Sequence, residues 1–192
     1  SSAQTASSAQ TASSAQTATE EQIETTSLTA ELLPVLITEI QLASQTSTND
    51  EFIELYNPNA SEIDLSGYSI QKTFGTSSVV FKKNFEKNNI IPSKGYFLIV
   101  NNKADNKELL SLADLFYNSF DLEKNNTLYL VKNQLDIDIA AFFATGDFAT
   151  ASPAISNSGI VDMVGFGENV WAEIMPALNP GKEESLERKQ EA

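Results

Sequence analysis

Residues 51–72, EFIELYNPNASEIDLSGYSIQK, place two short β patterns on either side of a turn. In the first pattern Ile53 and Leu55 fall on one face and their neighbours on the other, which is the two-residue period of a strand. Asn57-Pro58-Asn59 supplies turn chemistry, because proline fixes φ and asparagine tolerates left-handed geometry. Gly67 allows a tight bend before the second pattern. The run therefore predicts a β-hairpin at the edge of a β-sheet.

Similar strand patterns recur along most of the chain. Further strands are predicted at 35–43, 79–85, 96–101, 127–132, 135–143 and 160–167. Residues 103–117 are the one plausible helical stretch. Seven or more short strands separated by turn signals predict an all-β fold, an antiparallel β-sandwich.

Two of these segments carry sharper expectations. In the strand at 35–43 the alternation places Leu36, Ile40 and Leu42 on one face. The segment at 96–101 begins with five consecutive apolar residues, which is typical of a central strand buried on both faces.

The composition changes sharply near residue 34. Residues 1–18 are three copies of SSAQTA, and alanine is the only apolar residue in them. So little apolar surface cannot offset the entropy lost on ordering, so residues 1–33 are predicted to be a flexible, disordered low-complexity spacer. The spacer is either a stalk, with Ser and Thr available for O-glycosylation, or a plain linker. Residues 34–192 are predicted to form one domain. Because the chain starts at Ser1, we expect a processed or excerpted polypeptide.

Charge and composition remove several function classes. The chain has 12 basic and 26 acidic residues, a formal net charge of -14, and Arg188 is its only arginine. Such a field repels a phosphate backbone, so no nucleic acid is expected as a partner. Without cysteine or histidine, the chain lacks thiol nucleophiles, Ser-His-Asp triads and the usual zinc, haem and iron–sulfur ligands. No stretch approaches the ~18 apolar residues of a transmembrane helix.

Five motifs occur in the order found in one family. They are NDEFIELYNPNASEIDLSGYSIQK, IPSKGYFLIV, NNTLYL, VDMVGFG and NPGKEESLERK. In this order, over residues 35–189, the chain resembles bacterial lamin tail domains. The resemblance implies an immunoglobulin-like β-sandwich in a secreted or cell-envelope protein of a bacterium, sometimes beside hydrolase or nuclease domains. The chain lacks the coiled coil and basic cluster of nuclear lamins, and residues 140–159 look longer than the family's usual connection.

Five residues are candidate calcium ligands. Asn49, Asp50 and Glu51 form a compact oxygen-rich loop, and Ca²⁺ takes about six to eight oxygen ligands. Asp136 and Asp138 lie two apart on a predicted strand, so both carboxylates face one way. Charges on an exposed strand also protect a sheet edge from aggregation, which is the alternative interpretation of this pair. No catalytic residue and no cofactor other than calcium is predicted.

Other pairings depend on the fold. Asp147 and Asp162 can meet only across the structure, and Glu187 with Arg188 is a candidate ion pair that ties the C-terminal segment to the sandwich. Three aromatic residues are candidates for sugar stacking, although no aromatic platform is evident: Phe74, Tyr117 and Trp171.

Two functions from different classes remain open. The first is a non-enzymatic structural or adhesive module at the cell surface, which binds a protein, a glycan or copies of itself. In one variant the strand at 35–43 pairs with a neighbouring subunit. The second is an accessory domain of an extracellular hydrolase or nuclease whose catalytic part lies outside this chain. The neighbouring reading frame distinguishes the two.

Overall fold

The computed structural model describes residues 32–139, 159–172 and 175–189. The predicted spacer, except its last two residues, and nearly all of 140–159 lie outside this range. In chain order the elements are β1 Leu36–Gln41, β2 Phe52–Tyr56, β3 Ile63–Asp64, β4 Ser69–Phe74, β5 Phe81–Asn84, β6 Ile90–Ile91, β7 Tyr96–Asn101, α1 Lys107–Leu112, β8 Leu115–Tyr117, β9 Asn126–Val131, β10 Ile160–Phe166 and β11 Ser185–Glu187.

The strands form an immunoglobulin-like β-sandwich, as predicted. The first sheet has the order β11-β1-β2-β7-β8, the second has the order β10-β9-β4-β5, and β3 pairs with β6. Every pairing between these strands is antiparallel except that of β7 with β8. The main core lies between the two sheets and includes Ile53, Leu55, Ile70, Ile99 and Leu130. Within the described parts of the chain, no helix has the length and apolarity needed to cross a membrane.

Residues 51–72 are not a hairpin at a sheet edge. β2 lies between β1 and β7 in the first sheet, whereas β4 lies between β9 and β5 in the second. The turn residues do act locally as predicted: the Asn57 Oδ1 atom accepts a hydrogen bond from the Asn59 amide at 2.9 Å, and Gly67 has a φ of 85°. The segment therefore carries the chain from one sheet to the other.

The predicted buried face of β1 is wrong at the first residue of the strand, Leu36. The pairing of β1 with β2 shifts register between Ile37 and Glu39, which is a β-bulge. Ile37 is therefore buried together with Ile40, and Leu36 is only half-buried. β1 pairs with β11 on one side and β2 on the other, so it has no free edge for a neighbouring subunit.

Three other sequence predictions need correction. The helix covers only Lys107–Leu112, and the last part of the predicted helical stretch forms β8. β7 is a central strand, as predicted. It is not buried on both faces along its whole length, because Tyr96 at its start is exposed. The predicted strand at 135–143 is absent from its described part, residues 135–139.

Residues 135–139 instead lie across the outer face of the second sheet. The Gln71 side chain of β4 donates to the Leu135 carbonyl at 2.7 Å and accepts from the Ile137 amide at 3.0 Å. Ile137 and Ile139 pack with Tyr129 in a second apolar cluster on this face. The alternating pattern thus reflects burial against a sheet and not membership of one.

Candidate functional site

One end of the core is polar. Glu51, Asn101 and Tyr117 of the first sheet and Lys72 of the second are all at most 4% exposed. Each lies two residues from an inward-facing core residue; Lys72, for example, comes two residues after Ile70, and Glu51 comes two residues before Ile53. Buried charges of this kind are rare unless they are paired, so this end of the core is the first candidate for function.

Glu51 is held by groups from three parts of the chain. Its Oε2 atom accepts hydrogen bonds from the Tyr117 hydroxyl at 2.8 Å and from Asn101 Nδ2 at 2.9 Å. Burial raises the pKa of Glu51 above its ordinary value, and hydrogen bonds from the Leu122 amide, Asn101 and Tyr117 oppose that rise. The nearby Asp121 carboxylate raises this pKa further. Burial beside Glu51 also raises the pKa of Tyr117 well above its usual range.

Lys72 has a less complete set of partners. Its Nζ atom donates to the Asp121 carbonyl at 2.7 Å and lies 3.7 Å from Glu123 Oε2. The same atom lies 5.5 Å from the ring centroid of Phe81 and 5.9 Å from that of Phe120, which is within the range of cation–π attraction. Burial lowers the pKa of Lys72, and the carboxylates of Glu123, Glu51 and Asp121 oppose that fall.

Two clefts open at this end, and residues from the segment 118–124 line both of them. The Glu51 cleft has a volume of about 420 Å³, and its lining includes Asn49, Glu51, Asp121 and Glu123. The Lys72 cleft has a volume of about 430 Å³. It is lined by Lys72, Phe74 and Phe81 of the second sheet and by residues 118–121 and Glu123.

The structure separates the predicted calcium ligands. Asp50 Oδ1 accepts from the amides of Asp105 and Asn106 at 2.8 and 2.9 Å, and Oδ2 accepts from Ser44 Oγ at 2.6 Å. Glu51 has the different partners given above, and Asn49 is half-buried. Within residues 32–139, 159–172 and 175–189, no group of three Asp, Glu, His or Cys residues is arranged to hold a metal ion.

Asp136 and Asp138 are both exposed, but they do not lie on a strand. Asp136 forms an ion pair with Lys82 of β5 at 2.6 Å. The edge-strand interpretation of the pair is therefore wrong. Calcium binding by these five candidates is not tested by these contacts and stays a prediction.

A second charged cluster, the clasp, joins Asp162, Arg188 and Ile37. Arg188 Nη2 lies 2.9 Å from both Asp162 oxygens, Arg188 Nε donates to the Ile37 carbonyl at 3.1 Å, and the Ile37 amide donates to Asp162 Oδ2 at 2.7 Å. The predicted ion pair of Glu187 with Arg188 is thus wrong, because the partner of Arg188 is Asp162. Arg188 does tie the C-terminal segment to the sandwich, as predicted. Asp147 lies outside the described residues. Ile37, Arg188 and Met163 also line a cavity of about 260 Å³.

Sequence reasoning missed most of the polar end. Of its members it singled out Glu51 and, for sugar stacking, Tyr117, which is 1% exposed and cannot present its ring to a ligand. Trp171 packs against the second apolar cluster, so the three suggested aromatics do not lie together. The sequence signal that could have revealed this end of the core is Lys72 in SIQKTF, because a lysine there occupies an inward-facing position of the strand.

A family model described as Lamin Tail Domain matches residues 29–167. No curated protein sequence matches the chain. Among solved structures, a DUF4876 family protein from Bacteroides thetaiotaomicron VPI-5482 has 12% sequence identity and a TM-score of 0.45. That match covers 72% of this chain, which spans only 55% of the other protein's length.

Proposed function

The chain belongs to the lamin tail domain family, a family of immunoglobulin-like, non-catalytic domains, and from that premise we propose that it is a non-enzymatic binding module. In this proposal, residues 1–33 form a stalk that displays the module from a secreted or cell-envelope protein of a bacterium. The partner is a protein or glycan at the cell surface, or a second copy of the chain. The pair of clefts at the polar end is the observation that carries the proposal.

The clefts combine features that favour binding. Each has a volume within the ~300–1,000 Å³ typical of ligand sites, and each has a buried charged group in its wall. Keeping a charge such as that of Lys72 inside a core costs stability, and a ligand that uses the charge explains its presence. The net charge of the whole chain, -14, favours the solubility of such a displayed module.

One observation favours a hydrolase instead. Glu51 and Asp121 both line the Glu51 cleft, and the Asn101 Nδ2 atom donates to both carboxylates, at 2.9 and 3.4 Å. The pKa of Glu51 is raised, whereas the hydrogen bond from Lys103 lowers that of Asp121. Two carboxylates whose pKa values shift in opposite directions are one of the requirements for glycoside hydrolysis. Against this, Glu51 is 3% exposed and its Oε2 atom already accepts two hydrogen bonds.

Turnover assays decide between the two. The purified chain, with Glu51→Gln and Asp121→Asn variants, is incubated with chromogenic glycosides and a chromogenic phosphodiester. We expect all three proteins to release no more product than buffer alone. Turnover by the wild type that both variants lose would overturn the proposal. The same turnover in all three proteins would identify a contaminating enzyme, so the wild type is also repurified to constant specific activity.

A further inference from the structure

The Lys72 cleft holds the only combination of exposed aromatic rings and a buried charge among the clefts described above. Lys72 and Phe81 are directly paired across β4 and β5, and Phe74 lies two residues beyond Lys72, so all three side chains share one face. We infer that this cleft binds one uncharged sugar ring of a glycan. The inference rests on the proposed binding function and names its ligand.

The aromatic rings supply the stacking surface. Phe74 is 50% exposed and Phe81 is 43% exposed, although both lie on the face of the sheet that elsewhere forms the core. Leaving such rings in water forgoes the free energy of burying them, which a ligand with an apolar face would recover. One face of a pyranose ring presents only C–H groups and is of the size to cover a phenyl ring. A volume of about 430 Å³ accommodates such a ring together with part of its neighbour.

The polar groups match hydroxyls. An ammonium has three N–H donors, and among the described residues Lys72 uses one in a hydrogen bond of 2.7 Å, to the Asp121 carbonyl. The 3.7 Å between Lys72 Nζ and Glu123 Oε2 is too long for a good hydrogen bond. A hydroxyl both accepts and donates, so one sugar hydroxyl can accept from Lys72 and donate to Glu123. The Glu123 side chain is 62% exposed and can move to make room.

The charge of the cleft selects an uncharged ligand. The Glu123 carboxylate lies 3.7 Å from Lys72 Nζ, and Asp121 lines the same cleft. A ligand carboxylate would be repelled by these two groups, and a ligand ammonium would be repelled by Lys72. Neutral hydroxyls avoid both penalties. A neutral hexose or N-acetylhexosamine unit therefore fits better than a uronic acid or a basic peptide.

Titration by NMR tests the inference. The methyl glycosides of glucose, galactose, mannose, N-acetylglucosamine and glucuronic acid are added to the isotope-labelled full chain. We expect at least one neutral glycoside to shift the amide signals of residues 72–81 and 118–123 in a saturable way, and glucuronic acid to shift them less. Absence of saturable shifts with every neutral glycoside, or a stronger response to the uronic acid, would overturn the inference.

Matched variants locate the site. Phe81→Ala should weaken binding about tenfold or more, because it removes a stacking face. Phe116→Ala is the control, since Phe116 is 44% exposed but lies on β8 of the other sheet, and it should leave affinity unchanged. Equal weakening by both changes would place binding elsewhere and refute the inference. Both variants are first checked for a folded amide spectrum; if Phe81→Ala does not fold, Phe74→Ala takes its place.

Failure of the glycan inference and failure of the proposed function give different experimental results. Chromogenic versions of the same sugars report turnover in parallel. Failure to bind any sugar, without turnover, removes only the glycan assignment. Hydrolysis of a sugar by the wild type, lost in Glu51→Gln, overturns the proposed function itself.

Discussion

The clasp and the Lys72 cleft both bury a charged side chain, and they do so in opposite ways. In the clasp, Asp162 is 8% exposed and receives two contacts of 2.9 Å from Arg188 and a third hydrogen bond from the Ile37 amide. In the cleft, Lys72 is 4% exposed and makes one hydrogen bond of 2.7 Å and one contact of 3.7 Å. The clasp is closed by the protein's own groups, whereas the cleft is left open to solvent. This difference suggests that the clasp stabilises the fold and that the cleft serves a ligand.

The largest effect is expected from breaking the clasp. Arg188→Ala leaves the Asp162 carboxylate buried without its cation, and such a change costs about 3 kcal/mol. The unfolding free energy from urea denaturation measures the loss. Glu187→Gln, one residue away and exposed, is the control and should change stability by less than about 0.5 kcal/mol. If the two variants were equally stable, the clasp would not be a structural device.

A smaller, pH-dependent effect is expected at Glu51. Its pKa is higher in the folded chain than in the unfolded chain, chiefly because burial disfavours the carboxylate. The folded state therefore binds this proton more tightly, and the associated stability is complete below the ordinary pKa and declines as pH rises through the raised one.

Glu51→Gln removes that dependence. The difference in melting temperature between wild type and Glu51→Gln should therefore move against the wild type as pH rises from about 4.5 to 7. Glu62→Gln makes the same substitution at an exposed glutamate and serves as the control. An identical profile for the wild type and Glu51→Gln would show that burial of this carboxylate has no energetic consequence.

The smallest effect concerns calcium and extends the comparison to Asp50. Three hydrogen bonds from the protein already use both oxygens of Asp50. In this respect Asp50 resembles Asp162 in the clasp and differs from Lys72 in the cleft. We therefore expect the same melting temperature in millimolar calcium and in chelator. A rise with calcium that Asp50→Asn abolishes would confirm a site at Asn49, Asp50 and Glu51. A rise that only Asp136→Asn abolishes would place it at Asp136 and Asp138.

Local features were predictable from the sequence and long-range ones were not. The inward positions of Ile53 and Leu55 and the turn role of Asn57 follow from neighbouring residues, and all are confirmed. The lamin tail resemblance is confirmed as well, because the family model matches residues 29–167, which include the first four of its five motifs. The bulge in β1 could not be predicted, since the group that binds the Ile37 amide is Asp162, 125 residues away.

The errors at 135–139 and at Lys72 have related causes. Alternation at Ile137 and Ile139 predicts burial of one face, but it does not distinguish pairing within a sheet from packing across one. Lysine on a strand normally marks the solvent side, so the inward position of Lys72 was overlooked. Likewise, Asp121 belongs to the site because the folded chain brings residues 118–124 into the lining of both clefts.

The stability of Lys72→Met tests most directly the claim that the open cleft serves a ligand and the closed clasp serves the fold. Methionine has nearly the same volume and needs no partners, and replacing a poorly satisfied buried charge by an apolar side chain is often neutral or stabilising. Urea denaturation of Lys72→Met beside Arg188→Ala gives both values under one set of conditions. The account predicts that Lys72→Met is at least as stable as wild type, while Arg188→Ala loses about 3 kcal/mol. A loss in Lys72→Met as large as that in Arg188→Ala would contradict it, because Lys72 would then be a structural residue.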